Sequence, residues 1–225
     1  MAAGQGEPMS GISEGISWLT DSAHWHGDDG FPHRIAQHLG YTSLTVVIAS
    51  AIAIPLGLWI GHTGRLRGLA IALTGALRAL PTLGLLTLVV IWRGIGLTPP
   101  IVALVVLAIP PLLAGAYAGL ESVDRATIDA ARAIGMNEWQ VLGKVEVPLA
   151  LPLIIGGLRA AVLQVVATAT VAAYIGLGGL GRYLIDGLAV RDYPQMVAGS
   201  IVIVVLALVL DGIFAVVQRA LSIQR

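Results

Sequence analysis

The sequence predicts an all-α, polytopic membrane protein with about five transmembrane helices, and three observations carry that prediction. Of the 225 residues, 56% are hydrophobic and only 12% charged, about half the charged share of an ordinary soluble domain, which is roughly 25%. Mean hydropathy is +0.86. The apolar residues gather into long runs of Ala, Leu and Val without period-2 alternation, as expected of helices in lipid, where each segment must satisfy its own backbone groups.

A hydrocarbon core about 30 Å thick takes roughly 20 helical residues to cross, so each run can be counted as a span. The first, Thr42 to Gly61, is uncharged; the second, Gly68 to Trp92, holds Arg78 as its one charge and Pro81 as a helix breaker. The third, Gly94 to Leu120, is uncharged. The fourth starts near Val147 and stays apolar to Gly181 with only Arg159 charged. That exceeds one crossing, so its glycine-rich end is expected to leave the membrane. The fifth, Tyr193 to Val217, carries Asp211 alone. Two GxxxG pairs, Gly57 with Gly61 and Gly64 with Gly68, are candidates for close helix approach.

Residues 1–34 are polar with scattered apolar positions, and are expected at the outer surface, partly as an interfacial helix. They contain no basic region leading into an apolar core, so no cleavable signal peptide is expected. An odd number of spans places the termini on opposite sides. Arg65, Arg67, Arg125, Arg132, Lys144, Arg219 and Arg225 fall on one side, against Arg34, Arg93, Arg182 and Arg191 on the other. The positive-inside bias therefore puts the N-terminus outside and the C-terminus, with a tail at 221–225, in the cytoplasm.

Composition also excludes functions. With a formal net charge of zero, no surplus of basic side chains exists to neutralise a nucleic-acid backbone, so nucleic acid is not an expected partner. The absence of cysteine removes disulfides, thiolate metal sites and cysteine nucleophiles. The stretch HWHGDD, His24 to Asp29, brings two imidazoles and two carboxylates together. Local spacing without a folded framework is weak grounds for a zinc site, and no metal is expected. The histidines cluster towards the N-terminus and the acids lie mostly in connections, so no hydrolytic triad or carboxylate pair is arguable and no enzymatic site is predicted.

Two stretches remain. Gly176, Gly178 and Gly181 have the G-x-G-x-x-G spacing of a dinucleotide loop, but that fingerprint works only after a strand and before a helix. Here it follows an apolar helix on the outer side. The same glycines, with Gly179 and Tyr174, fit a tight exit from the fourth span, where positive φ and close packing are useful. The other stretch is the longest charged connection, Glu121 to Pro152. It is poor in Gly and Ser and rich in helix formers. A capping acid at Asp124, alanines at 130, 131 and 133, and Gly135 as a stop predict a short helix, a turn and a second helix.

The spacing within that connection, Asp129-Ala130-Ala131, three residues, Gly135, nine residues, then Val-Glu-Val-Pro ending at Pro148, resembles the EAA motif of ABC-importer permeases, E-A-A-x3-G-x9-I-x-L-P. Asp129 stands for the glutamate, and Val145 and Val147 for the isoleucine and leucine. Three further stretches, Leu77–Leu86, Gly94–Leu113 and Thr170–Gly181, are similar to permeases for glycine betaine, choline and related osmoprotectants, and the similarity spans roughly residues 35–220.

The resemblance implies an ABC type I importer permease fold over 35–220, with a coupling segment at 121–148 whose Asp129, Ala130, Ala131, Ala133, Gly135 and Pro148 meet an ATPase. It implies two ATP-binding subunits that use ATP and Mg, no cofactor on this chain itself, a second permease subunit, identical or paralogous, and an extracytoplasmic solute-binding protein. Arg78, Pro81, Tyr174, Gly176, Gly178, Gly179 and Gly181 are candidates for the pathway. Permeases for methionine and other small solutes share this plan and are the alternative. An ion-coupled carrier would need membrane carboxylates beyond Asp211.

Overall fold

The computed structural model describes residues 8–223, so the ends of the predicted outer segment and of the tail lie outside the described residues. Those described are helical, without a strand. In chain order the helices are α1 (Pro8–Thr20), α2 (Phe31–Thr63), α3 (Arg67–Arg78), α4 (Thr82–Arg93), α5 (Thr98–Glu121), α6 (Arg125–Ala133), α7 (Glu138–Val141), α8 (Val147–Ala172), α9 (Gly181–Val190) and α10 (Tyr193–Ile223). Four segments among the described residues are long and apolar enough to cross a membrane, and a fifth is reached if α3 and α4 count as one broken span.

Two spans differ from the sequence reading. The first helix begins at Phe31, eleven residues before the uncharged run, because Phe31, Ile35 and the buried His38 give the preceding turns an inward face. The second run is not one helix. α3 ends at Arg78 and α4 starts at Thr82, since Pro81 has no N–H to donate and disfavours helical geometry in the residue before it. At ~1.5 Å per residue each 12-residue piece reaches only about 18 Å.

The chain divides into two compact units. Of the described residues, the first comprises 8–43, 82–103 and 166–209. Its core is Phe31, Leu180, Tyr183 and Ala198, with Trp18, Leu19, Ile35 and Leu184 packed around it. Trp18 meets Phe31 and Tyr183 edge-on at centroid distances of 5.8 and 5.7 Å, a geometry that favours aromatic pairs. His24 stacks on Trp18 at 3.5 Å, with Nδ1 2.9 Å from the Trp18 carbonyl. His26 Nδ1 lies 2.9 Å from the Ser22 carbonyl. Among the described residues no group of His, Asp and Glu could hold a metal.

Of the described residues, the second unit comprises 44–81, 104–165 and 210–223, and small residues hold it together. Added Cβ atoms at Gly57 and Gly61 would meet Ala116 and Leu120 Cβ at 2.6 and 2.7 Å. α2 thus lies directly on α5. A Cβ at Gly115 would meet Gly157 Cα at 2.6 Å, so α5 and α8 also approach to backbone contact. Dispersion between closely packed backbones replaces the hydrophobic drive that lipid cannot supply. The second GxxxG pair plays no such part, since neither Gly64 nor Gly68 has a neighbour within 4 Å of an added Cβ. The charges of the fourth and fifth runs pair: Arg159 donates through Nε and a terminal nitrogen to both Asp211 oxygens at 2.6 and 2.7 Å.

Candidate functional site

The charged connection in the second unit folds as a helix-turn-helix. Asp124 caps α6 by accepting from Ala126 N at 3.1 Å. At the other end Gly135 takes φ +90°, while Met136 N donates to Ala131 O and Gly135 N to Arg132 O at 3.2 and 2.9 Å. This paired closure is a Schellman ending, in which a left-handed residue lets the last carbonyls of the helix be satisfied. Asn137 and Gln140 then form a reciprocal capping box that starts α7. A wide π-helical turn over Leu142–Glu146 joins α7 to α8. It precedes Pro148, whose ring would crowd the carbonyl of Lys144 in a regular α-helix.

Of the residues singled out in this connection, Ala131 is buried, whereas Asp129, Ala130, Ala133, Gly135 and Pro148 are exposed. Two apolar side chains beside the turn are exposed as well, Ile134 at 81% and Trp139 at 83%. Burying large apolar side chains is favourable, and these two leave apolar area exposed beside one tight turn. Arg132 donates to both Glu138 oxygens at 2.9 Å, which fixes α6 against α7; this pairing raises the Arg132 guanidinium above its ordinary value, so it stays charged. A cleft of about 430 Å³ lies behind, lined by His62, Arg67, Tyr117, Glu121 and Asp129 among others.

Sequence reasoning missed three residues here. Glu146 is 3% exposed and His62 Nδ1 is 2.5 Å from its Oε2, while His62 Nε2 is 3.2 Å from Glu138 Oε2. The available signal was an acid set between Val145 and Val147 at the edge of an apolar run, since a carboxylate at such a position needs a partner.

The glycine loop belongs to the first unit. α8 closes into a single 3-10 turn, Ala173–Ile175, and Gly176 and Gly179 take φ of +92° and +85°. No strand precedes it. Gly179 N donates to Gln37 Oε1 at 3.0 Å. An added Cβ at Gly178 would meet that same Oε1 at 2.6 Å, and one at Gly181 would run into the Thr170 carbonyl oxygen. The loop is therefore packed onto α2. Gln37 is itself held by Arg34 at 3.1 Å, and Arg34 pairs with Asp29. Tyr183 donates its hydroxyl to the Asp29 carbonyl at 2.5 Å, and burial pushes that phenol up to about 12. Tyr174 is 67% exposed beside this frame. Arg78 and Pro81 belong to the second unit and are exposed at the end of α3 and in the break that follows.

Residues 53–223 match the family described as the binding-protein-dependent transport system inner membrane component. The chain belongs to this family. As such a component it is a multi-pass inner membrane protein, and the charged helix-turn-helix and the glycine loop both lie within the matched span. It is 30% identical over 190 residues to the glycine betaine/carnitine/choline transport system permease protein OpuCB of Bacillus subtilis, with 84% of this chain and 88% of the relative covered. To the osmoprotectant import permease protein OsmW of Salmonella typhimurium it is 36% identical, over 83% of this chain and 89% of that one. Inward-facing structures of the MetNI methionine ABC transporter share its fold, with a TM-score of 0.73 at 23% identity over 82% of this chain and 93% of the other. An amino acid ABC transporter structure gives 0.67 at 20% identity over 98% of this chain and 100% of that one.

Proposed function

We propose that this chain is the transmembrane permease subunit of an ATP-driven importer for osmoprotectants of the glycine betaine, choline and carnitine type. The relatives with 30–36% identity over most of the chain are permeases whose names carry these solutes, and that observation supports the substrate class. Methionine is the rival, and the fold likeness to a methionine transporter at 23% identity speaks to architecture alone.

In this reading two permease subunits line the pathway, two ATP-binding subunits sit on the cytoplasmic side, and a solute-binding protein delivers the cargo outside. ATP and Mg belong to the ATPase. The N-terminus is outside and the C-terminus in the cytoplasm. The segment 121–148, with Asp129, Ala130, Ala131, Ala133, Gly135 and Pro148, couples to the ATPase, and the exposed Ile134 and Trp139 give it an apolar surface to bury there. ATPase closure pulls on this segment and rocks the span bundles between inward and outward access. Arg78, Pro81, Tyr174 and the glycines 176, 178, 179 and 181 border the path. A quaternary ammonium is attracted to aromatic faces; with two Phe, five Tyr and five Trp in the chain, most of that recognition falls to the binding protein.

Uptake competition tests the reading. Cells carrying the full transporter should lose labelled betaine uptake when choline or carnitine is in excess and keep it when methionine is. Competition by methionine alone would overturn the substrate class.

A further inference from the structure

His62 stands one residue before the end of α2, and both of its ring nitrogens face carboxylates. Nδ1 lies 2.5 Å from Glu146 Oε2 and Nε2 3.2 Å from Glu138 Oε2. The side chains of His62 and Glu146 are only 14% and 4% exposed, so water is a poor substitute for the Glu146 contact. An ionised carboxylate can only accept, and a neutral imidazole has one N–H. A neutral ring therefore satisfies one glutamate and turns a lone pair towards the other. With both nitrogens protonated the ring donates to both.

Three elements meet at this ring: α2 through His62, α7 through Glu138, and the wide turn at the root of α8 through Glu146. Glu138 passes the connection to α6 through Arg132. The other charged groups around the cleft are already engaged or more distant in chemistry. Arg67 of α3 pairs with Glu121 of α5 at 2.5 Å, and Asp129 of α6 lies 3.5 Å from Arg132. Arg125 of α6 and the Tyr117 phenol of α5 complete the lining. Guanidinium groups keep their charge at all accessible pH, whereas histidine side chains change theirs between about pH 5 and 8.

We propose that His62 is a positioning residue of the transport cycle, its doubly protonated ring bridging Glu146 and Glu138 so that the helix-turn-helix moves with the end of α2. The proposal rests on the reading of 121–148 as the ATPase-coupling segment. Loss of one proton breaks one side of the bridge. Glu146 is buried and holds the shorter bond, while Glu138 is 56% exposed and has Arg132 as an alternative partner. The Glu138 side opens, and α6 and α7 remain joined to each other but lose their tie to α2.

The test uses the assembled transporter in nanodiscs and reads solute moved per ATP hydrolysed at one fixed pH. His62→Arg, which keeps a two-pronged cation, should hold the wild-type ratio; His62→Gln, with one donor group and no charge, should lower it several-fold. Glu138→Gln, at an exposed position, should lower the ratio as His62→Gln does. Equal ratios in all four proteins would overturn the proposal. Hydrogen exchange of residues 125–146 in the full-length permease alone gives a second reading. It should be several-fold faster in His62→Gln than in His62→Arg at the same pH, and equal protection would overturn the bridge even if transport changed. Should wild type move no quaternary amine, the substrate reading fails by itself, because the exchange comparison needs neither solute nor ATPase.

Discussion

Replacing Gly135 by alanine should loosen the helix-turn-helix without disturbing the rest of the chain. Gly135 sits at φ +90° and nothing lies within 4 Å of an added Cβ, so the substitution meets no steric obstacle from neighbours. Its whole cost is backbone conformation, roughly 1–2 kcal/mol for an L-residue in the left-handed region. That cost is avoided if the Schellman closure opens and α6 frays, so it appears as local opening. A shift of one to two kcal/mol is a factor of about 5–30 in an opening equilibrium. Hydrogen exchange at residues 130–136 should accelerate by that factor in Gly135→Ala, while the amides of α5 and α8 keep their protection. Gly135→Asn should accelerate less, because asparagine tolerates this conformation better. In the assembled transporter Gly135→Ala should weaken ATPase binding and solute-stimulated hydrolysis together. Unchanged exchange at 130–136 would refute the strain argument, and intact assembly with intact stimulated hydrolysis in a bulkier Gly135→Val variant would refute the coupling assignment.

Three other perturbations follow from the packing. Gly115→Val drives a branched side chain into Gly157 Cα, 2.6 Å from the added Cβ, at a cost of about 1–3 kcal/mol or more since backbone cannot step aside; folded yield after detergent extraction should collapse, while Gly68→Val, with open space around it, should leave yield unchanged. Removing either partner of the Arg159–Asp211 pair strands a charge in the membrane-spanning region, so Arg159→Met and Asp211→Leu should each give several-fold less inserted protein, and the double variant should recover most of it. Tyr183→Phe deletes the half-buried hydrogen bond to the Asp29 carbonyl and should cost about 0.5–1.5 kcal/mol, read as a lower melting temperature in detergent.

Much of the molecule was legible in the sequence because lipid imposes simple rules. Uninterrupted apolar runs had to be helices, and they are. The Asp124 cap, the Gly135 stop and the Gly57–Gly61 contact follow from local chemistry, which a short window of sequence contains. The break at Pro81 was visible as a proline in an apolar run, where it can either kink a helix or end it. The start of α2 at Phe31 depends on contacts with Leu180 and Tyr183, about 150 positions away in the chain, and polar residues between Phe31 and Thr42 concealed it. The His62–Glu146 contact joins residues 84 positions apart, and nothing near either one announces the other. The glycine spacing at 176–181 showed the reverse problem, a familiar pattern whose physical use depends on what precedes it. Here those glycines clear space for Gln37 and the Thr170 carbonyl.

The wide turn at Leu142–Glu146 gives mechanical meaning to a number. In a regular helix each residue advances the winding by about 100°, so the angular phase of α7 relative to α8 is set by how many residues and what kind of turn lie between them. Inserting one residue into the regular winding of α7, after Gln140 for example, would shift that phase by about 100°. Glu138 would swing away from His62, and Trp139 would leave its outward bearing. The nine residues between Gly135 and Val145 thus act as a phase lock: their identity can drift, but an insertion of one turns the whole contact face off its target.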